Sequence, residues 1–99
     1  MRTLLTVSME VGASNKAIMD GSLPKVMKAI MEKLKPEAAY FFALHGKRTG
    51  IMVFDMKDPS EIPVICEPFF MGMNADVHLT PVMDVVDLQK GLDAWQKTL

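Results

Sequence analysis

The sequence contains few of the residues that most often form cross-links, metal sites or cofactor sites. Its 99 residues include one cysteine, two histidines and one tryptophan. The lone Cys66 cannot form a disulfide within the chain, so we expect a reducing, cytoplasmic setting. No cysteine cluster and no pair of histidines on one helical turn is present. We therefore predict neither a metal nor a cofactor.

Neither sign of charge is in excess, and no long apolar run is present. The chain has 11 basic and 12 acidic residues, a net charge of -1, which gives a nucleic-acid role no electrostatic support. The apolar run near the N-terminus is interrupted by Ser8 and Glu10 and falls far short of the about 20 residues of a membrane span. We expect neither a nucleic acid nor a membrane as partner.

Apolar residues are plentiful for so short a chain. They make up 49% of it and include ten methionines. The length predicts one domain over residues 1–99. Because a small domain has a limited interior, part of the apolar surface is expected to lie between subunits. The methionines fill irregular gaps in a core or form a soft binding surface.

Period-two alternation of apolar and polar residues predicts four strands, at residues 3–11, 38–45, 49–57 and 75–83. Gly12 ends the first strand, and residues 15–20 are predicted to form a short helical turn. The second and third strands form a hairpin around Gly46. Pro81 lacks a backbone donor, so the fourth strand is expected at an edge of the sheet.

Helical spacing of apolar residues predicts three helices. The first starts at Ser22 and ends before Pro36. In the second, Pro68 should kink the helix or end its regular part near Glu67. The last starts near Asp84 and has an apolar stripe formed by Val85, Leu88, Leu92 and Trp95.

This order of elements predicts an α+β fold. The pattern β-α-β-β-α-β is the split βαβ arrangement of ferredoxin-like folds, here with an extra C-terminal helix. It implies a four-stranded antiparallel sheet in the order 4-1-3-2, with helices on one face.

Alternation along the strands then sorts side chains between the two sheet faces. Leu5, Val7 and Met9 should face the helices, and so should Phe41 on the second strand. The other face carries both apolar and polar groups, which is typical of a partly wet small-molecule cavity. The cavity candidates on that face are Ser8, Glu10, Tyr40, Phe42, Asp55 and His78.

Five segments resemble a known family. The chain is similar to the dimeric α+β barrel superfamily, and more closely to a group of small bacterial proteins, at residues 15–18, 20–25, 35–41, 46–50 and 67–70. The resemblance implies a dimer in which two sheets close face to face. The superfamily includes cofactor-free monooxygenases, isomerases, haem-degrading enzymes and domains without known activity. No catalytic motif of these enzymes aligns with this chain, so no activity is implied.

Several reactive groups are expected on the mixed face. His78 is predicted to lie level with Ser8, where the two could act as base and nucleophile, although no orienting acid or oxyanion hole is evident. Asp55 is expected nearer Thr6, about 11 Å from His78, which is too far for a direct pair. A histidine held by hydrogen bonds in a cavity is the simpler interpretation.

Glu10 and Asp76 are expected close together at one end of this face. There they would share a proton or form a solvated rim. Three hypotheses remain for the whole chain. It is a homodimer that encloses a small-molecule cavity, a cofactor-independent monooxygenase or isomerase, or a structural dimerisation module without a ligand.

Overall fold

The computed structural model describes all 99 residues and has the ferredoxin-like order of elements, with two helices in the first crossover. The elements are β1 (Arg2–Met9), α1 (Val11–Met19), α2 (Ser22–Leu34), β2 (Ala38–Leu44), β3 (Lys47–Asp55), α3 (Glu61–Met73), β4 (Asp76–Pro81) and α4 (Val85–Gln96). The four strands form an open antiparallel sheet in the order β2-β3-β1-β4. The predicted fold class and strand order are therefore confirmed, and Pro81 lies on an edge strand as expected.

The core lies between the sheet and helices α1 to α3. Alternate residues of β1, among them Leu5 and Val7, are buried under the helices, as the alternation predicts. Phe54 from β3 and Phe69 from α3 are the largest fully buried side chains. Val11 was expected to continue the first strand, but it begins α1 instead.

A two-residue turn joins β2 to β3. His45 and Gly46 both have positive φ, 53° and 75°, which is the geometry of a type I′ hairpin turn. The last pair before the turn is Leu44 with Lys47, so β3 begins two residues earlier than predicted. The parity of the pairing is unchanged, and the predicted division of the hairpin between the two faces is confirmed.

Arg48 lies within β3 and is not part of an exposed hairpin tip. Its Nη1 donates to Ser14 Oγ at 2.6 Å and to the Val11 carbonyl at 3.4 Å. Ser14 is fully buried, so its hydroxyl requires a partner of this kind. The contact ties the hairpin to α1, which is longer than the short turn expected there.

Helix α3 continues through Pro68 and ends at Met73, so of the two predicted alternatives, a kink or an end near Glu67, the end near Glu67 is wrong. Proline removes one backbone hydrogen bond from a helix interior. Phe69 and Met73 follow the proline and are almost fully buried, and this packing offsets the lost bond.

Helix α4 begins as predicted but does not join the core. Asp84 caps it, and the Asp84 and Asp87 side chains form a capping box. No side chain of α4 is buried, and Trp95 is 60% exposed. The molecule measures 56 × 28 × 19 Å and has a radius of gyration of 16.0 Å, against about 13 Å for a compact domain of 100 residues. The apolar stripe of α4 therefore has no partner within the chain.

Candidate functional site

The helix-free face of the sheet consists of three rows of side chains that cross the strands in the order β2, β3, β1, β4. The middle row is Tyr40, Ile51, Thr6 and His78. The row nearer the hairpin turn is Phe42, Thr49, Ser8 and Asp76. The third row is Ala38, Val53, Leu4 and Thr80.

His78 lies opposite Thr6 and not, as predicted, opposite Ser8. Asp76 takes the place opposite Ser8. This shift of two residues in register arises where the chain leaves α3, because Asn74 takes a left-handed conformation and the Glu10 N–H donates to the Met73 carbonyl at 3.3 Å. These contacts determine the residue at which β4 enters the sheet.

The Ser8 hydroxyl forms a hydrogen bond with Thr49 on the neighbouring strand β3. Its Oγ lies 2.7 Å from Thr49 Oγ1, and Thr49 is only 2% exposed. Thr49 Oγ1 also donates to the Lys47 carbonyl at 3.2 Å. The Ser8 hydroxyl is therefore held within the sheet, and it makes no hydrogen bond with His78. The hypothesis of a Ser8–His78 nucleophile–base pair gains no support from this geometry.

Glu10 lies just outside β1, at the residue before α1. Its carboxylate accepts a short hydrogen bond from the Asn74 side-chain amide. Asp76 is paired with Ser8 across the strands, and the side-chain hydrogen-bond partner of Glu10 is the Asn74 amide. Glu10 thus links the start of α1 to the segment that precedes β4.

Asp55 lies at the opposite end of the sheet, opposite Arg2 and not near Thr6. Its carboxylate accepts from Lys57 Nζ at 2.5 Å and from the Met1 amino group at 2.6 Å. The hydrogen bonds from these two cations, with their positive charge, lower the pKa of the Asp55 carboxyl to about 2. Asp55 therefore stays ionised at neutral pH and acts as an ion-paired rim group.

The apolar side chains of the helix-free face are open to solvent in the single chain. Tyr40 is 65% exposed and Phe42 is 43% exposed, while Ile51 and Val53 are half-buried. His78 is exposed at the other edge. Tyr40 and His78 are separated by three strand spacings, about 14 Å, so they cannot contact each other within one chain.

A second feature lies on the helix side, between α2 and β2, and was not predicted from the sequence. Phe41 points to the helix side as predicted, but α2 does not cover β2 and the ring is 61% exposed. It borders a hollow of about 690 Å³ that is also lined by Met27 and Met31 of α2. The spacing of these methionines along one helix face was the available signal for this hollow.

Opposite Phe41 stands Gly50, where a Cβ atom would come within 3.0 Å of the Phe41 ring. The absence of a side chain at Gly50 lets the ring lie across β3 and form one wall of the hollow.

Nowhere in the chain do three or more histidine, cysteine, aspartate or glutamate side chains gather in a way that could hold a metal ion. None of the helices combines the length and apolar character needed to cross a membrane. Comparison with models of known protein families finds no match, and comparison with curated proteins finds none of significant similarity.

Proposed function

We propose that the protein is a homodimer in which two helix-free sheet faces close over each other and enclose a small-molecule cavity. The observation that carries the proposal is the middle row of this face. Tyr40 and Ile51 offer apolar surface at one end of the row, and Thr6 and His78 offer polar groups at the other.

The apolar part of the face supports a partner subunit. Contiguous exposed apolar surface on a small protein marks an interaction site. Tyr40 and Phe42 lie next to the half-buried Ile51 and Val53, so the exposed apolar area is continuous across β2 and β3. A second copy of the same face would remove this apolar area from water.

The polar part of the face supports a cavity in preference to a dry interface. His78 and Asp76 on β4 would lie in the closed dimer without the packed neighbours that a core requires. Ligand sites combine an apolar lining with a few polar groups that fix orientation. The lining here fits a small organic molecule with one flat apolar part and one polar part that accepts or donates a hydrogen bond at His78.

A cofactor-independent monooxygenase or isomerase is the enzyme form of the same proposal. Ser8 is bonded to Thr49, so the acid–base group of such an enzyme would be His78 alone or His78 with Tyr40. If β2 of one copy lies beside β4 of the other, Tyr40 of the second copy approaches His78 of the first. The structural module without a ligand would instead have a face that closes without a cavity.

Light scattering coupled to size exclusion tests the dimer, and the expected mass is twice the chain mass of 11.0 kDa. A monomer of 11.0 kDa at micromolar concentration would contradict the proposal. Native mass spectrometry of the purified dimer, together with an electron-density map of the enclosed face, tests the cavity. If the two faces pack together with neither a ligand nor ordered water beside His78, the result favours the third hypothesis, a structural dimerisation module without a ligand.

A further inference from the structure

Helix α4 cannot cover the hollow between α2 and β2 of its own chain. It follows β4, which forms the edge of the sheet opposite β2, about 14 Å away. Only residues 82–84 connect β4 to α4, and the helix projects away from the body of the molecule. The apolar stripe of α4 and the apolar hollow are thus two unpartnered surfaces that one chain cannot bring together.

The two surfaces are complementary in apolar character. The hollow is lined by Leu23, Met27, Met31 and Phe41. Methionine side chains are flexible, so they can adapt to the shape of a helix that packs in the hollow. Leu92 and Trp95, on one face of α4, are about half exposed. An amphipathic helix laid in an apolar groove is a recurrent mode of recognition.

They are also complementary in charge. The charged residues that line the hollow are Lys28 and Arg48, and neither is in an ion pair. Helix α4 and its two caps carry three acidic residues against two basic residues, namely Asp84, Asp87 and Asp93 against Lys90 and Lys97. Only Asp84 among these acids has an ion-pair partner, Arg2.

The face-to-face dimer places the two surfaces near each other. When two copies close around a two-fold axis parallel to the strands, β4 of one copy lies beside β2 of the other. Three residues separate the end of β4 from the start of α4, and the hollow lies directly behind β2 on the helix side. The 12 residues of α4 span about 18 Å, which is comparable to the about 23 Å of the seven residues of β2.

From these observations we infer that α4 of each chain docks into the hollow between α2 and β2 of a second copy. The inference rests on the proposed dimer and names a second contact within it. Both chains donate a helix and both receive one, so the exchange is closed by symmetry and fills both hollows without leading to filaments.

Cysteine cross-linking between full-length chains tests the exchange. One chain carries Leu92→Cys in α4 and the other, labelled with ¹⁵N, carries Met31→Cys in the hollow; both carry Cys66→Ala, so that no other thiol is present. The two are mixed, allowed to exchange subunits and oxidised gently. We expect a disulfide-linked species whose intact mass contains one labelled and one unlabelled chain. Leu88→Cys, one turn earlier, allows for a shift of the helix along the hollow.

Lys90→Cys is the matched control, because it lies about 200° around the helix from Leu92. Cysteines whose Cα atoms are more than about 7 Å apart cannot be bridged, so we expect the mixed disulfide to be lost with this variant. A dimer in which neither Leu88→Cys nor Leu92→Cys links more than Lys90→Cys would overturn the exchange and leave the face-to-face dimer standing. A monomer by light scattering would overturn both.

The unmodified protein provides a second measurement, since Trp95 is the only tryptophan and lies on the apolar stripe. In the dimer we expect its fluorescence to resist quenching by acrylamide, and dilution that dissociates the dimer should restore quenching. A Trp95 that is quenched equally at both concentrations would also overturn the exchange.

Discussion

The Ser8 hydroxyl on β1 donates a hydrogen bond to Thr49 Oγ1 on β3, with 2.7 Å between the two oxygen atoms. Ser8 is the donor because the single hydroxyl hydrogen of Thr49 is already donated to the Lys47 carbonyl, at 3.2 Å. Thr49 is buried, and Ser8 is only partly exposed. The bond therefore joins the two central strands on the face that we propose as the cavity wall.

This bond makes Ser8→Ala more costly than a substitution of a free surface hydroxyl. We expect a loss of about 1 kcal/mol in the free energy of unfolding, because a buried acceptor loses its donor. Thr49→Val removes the other partner. Denaturant unfolding of both single variants and the double variant forms a cycle, in which the coupling should be about 1 kcal/mol. Additive losses would show that the two hydroxyls do not interact.

Phe54 should dominate the stability of the helix-side core. It is 2% exposed, and Phe54→Ala should cost about 3–5 kcal/mol through lost burial and the cavity left behind. Met71→Ala, at an 85% exposed position on α3, is the matched control and should change stability by less than about 0.5 kcal/mol. Equal shifts of the two denaturant midpoints would refute this description of the core.

Asp55 should make a pH-dependent contribution to stability at the acid end. Hydrogen bonds from Lys57 and the amino terminus lower the pKa of its carboxyl from 3.8 to about 2. Folding thus favours the ionised carboxylate, so the contribution is fully present above pH 3.8 and is lost as the pH falls through about 2.

The side-chain carboxyl carbon of Asp55 reports this directly in an NMR titration. We expect its midpoint near 2 in the natural chain and a shift toward 3.8 in Lys57→Gln. The stability difference between the natural chain and Asp55→Asn should disappear over the same range. A midpoint that Lys57→Gln leaves unchanged would mean that the ion pair does not form in solution.

The strand order could be predicted because it follows from the order of helices and strands along the chain. The face of each hairpin residue could be predicted because it follows from period-two alternation and a turn with an even number of residues. The register of β4 could not. It is determined by the left-handed Asn74 and by the contacts of Glu10 with Met73 and Asn74, which link residues far apart in the sequence. A register error of two residues moved His78 from opposite Ser8 to opposite Thr6, and the alternative of a Ser8–His78 pair depended on that register.

Two other errors arose because sequence spacing shows which side of an element is apolar but not what covers it. Phe41 was assigned to the helix side correctly, yet α2 stops short of β2 and leaves the ring exposed. The stripe of α4 was likewise identified correctly, but nothing in the same chain packs on it. In the dimer that we propose, a second copy covers both surfaces, and the spacing of residues in a single sequence does not identify such a partner.

Tyr40→Glu provides the most direct test of the dimer from the helix-free face. Tyr40 is 65% exposed in the single chain, so the isolated fold does not depend on its ring. In the closed dimer the new carboxylate would lie in the interface without a partner, at a cost of several kcal/mol. We expect the dissociation constant to rise by at least about a hundredfold, as a loss of about 3 kcal/mol implies.

The control is Met71→Glu, which places the same charge on the outer surface of α3, where the side chain is 85% exposed. It should leave the dimer intact, because Met71 lies on α3 and belongs neither to the helix-free sheet face nor to the lining of the hollow. Circular dichroism should show both variants folded, and light scattering over a dilution series should separate them. If Tyr40→Glu remains as dimeric as Met71→Glu, the two sheets do not close on each other and the cavity between them does not exist.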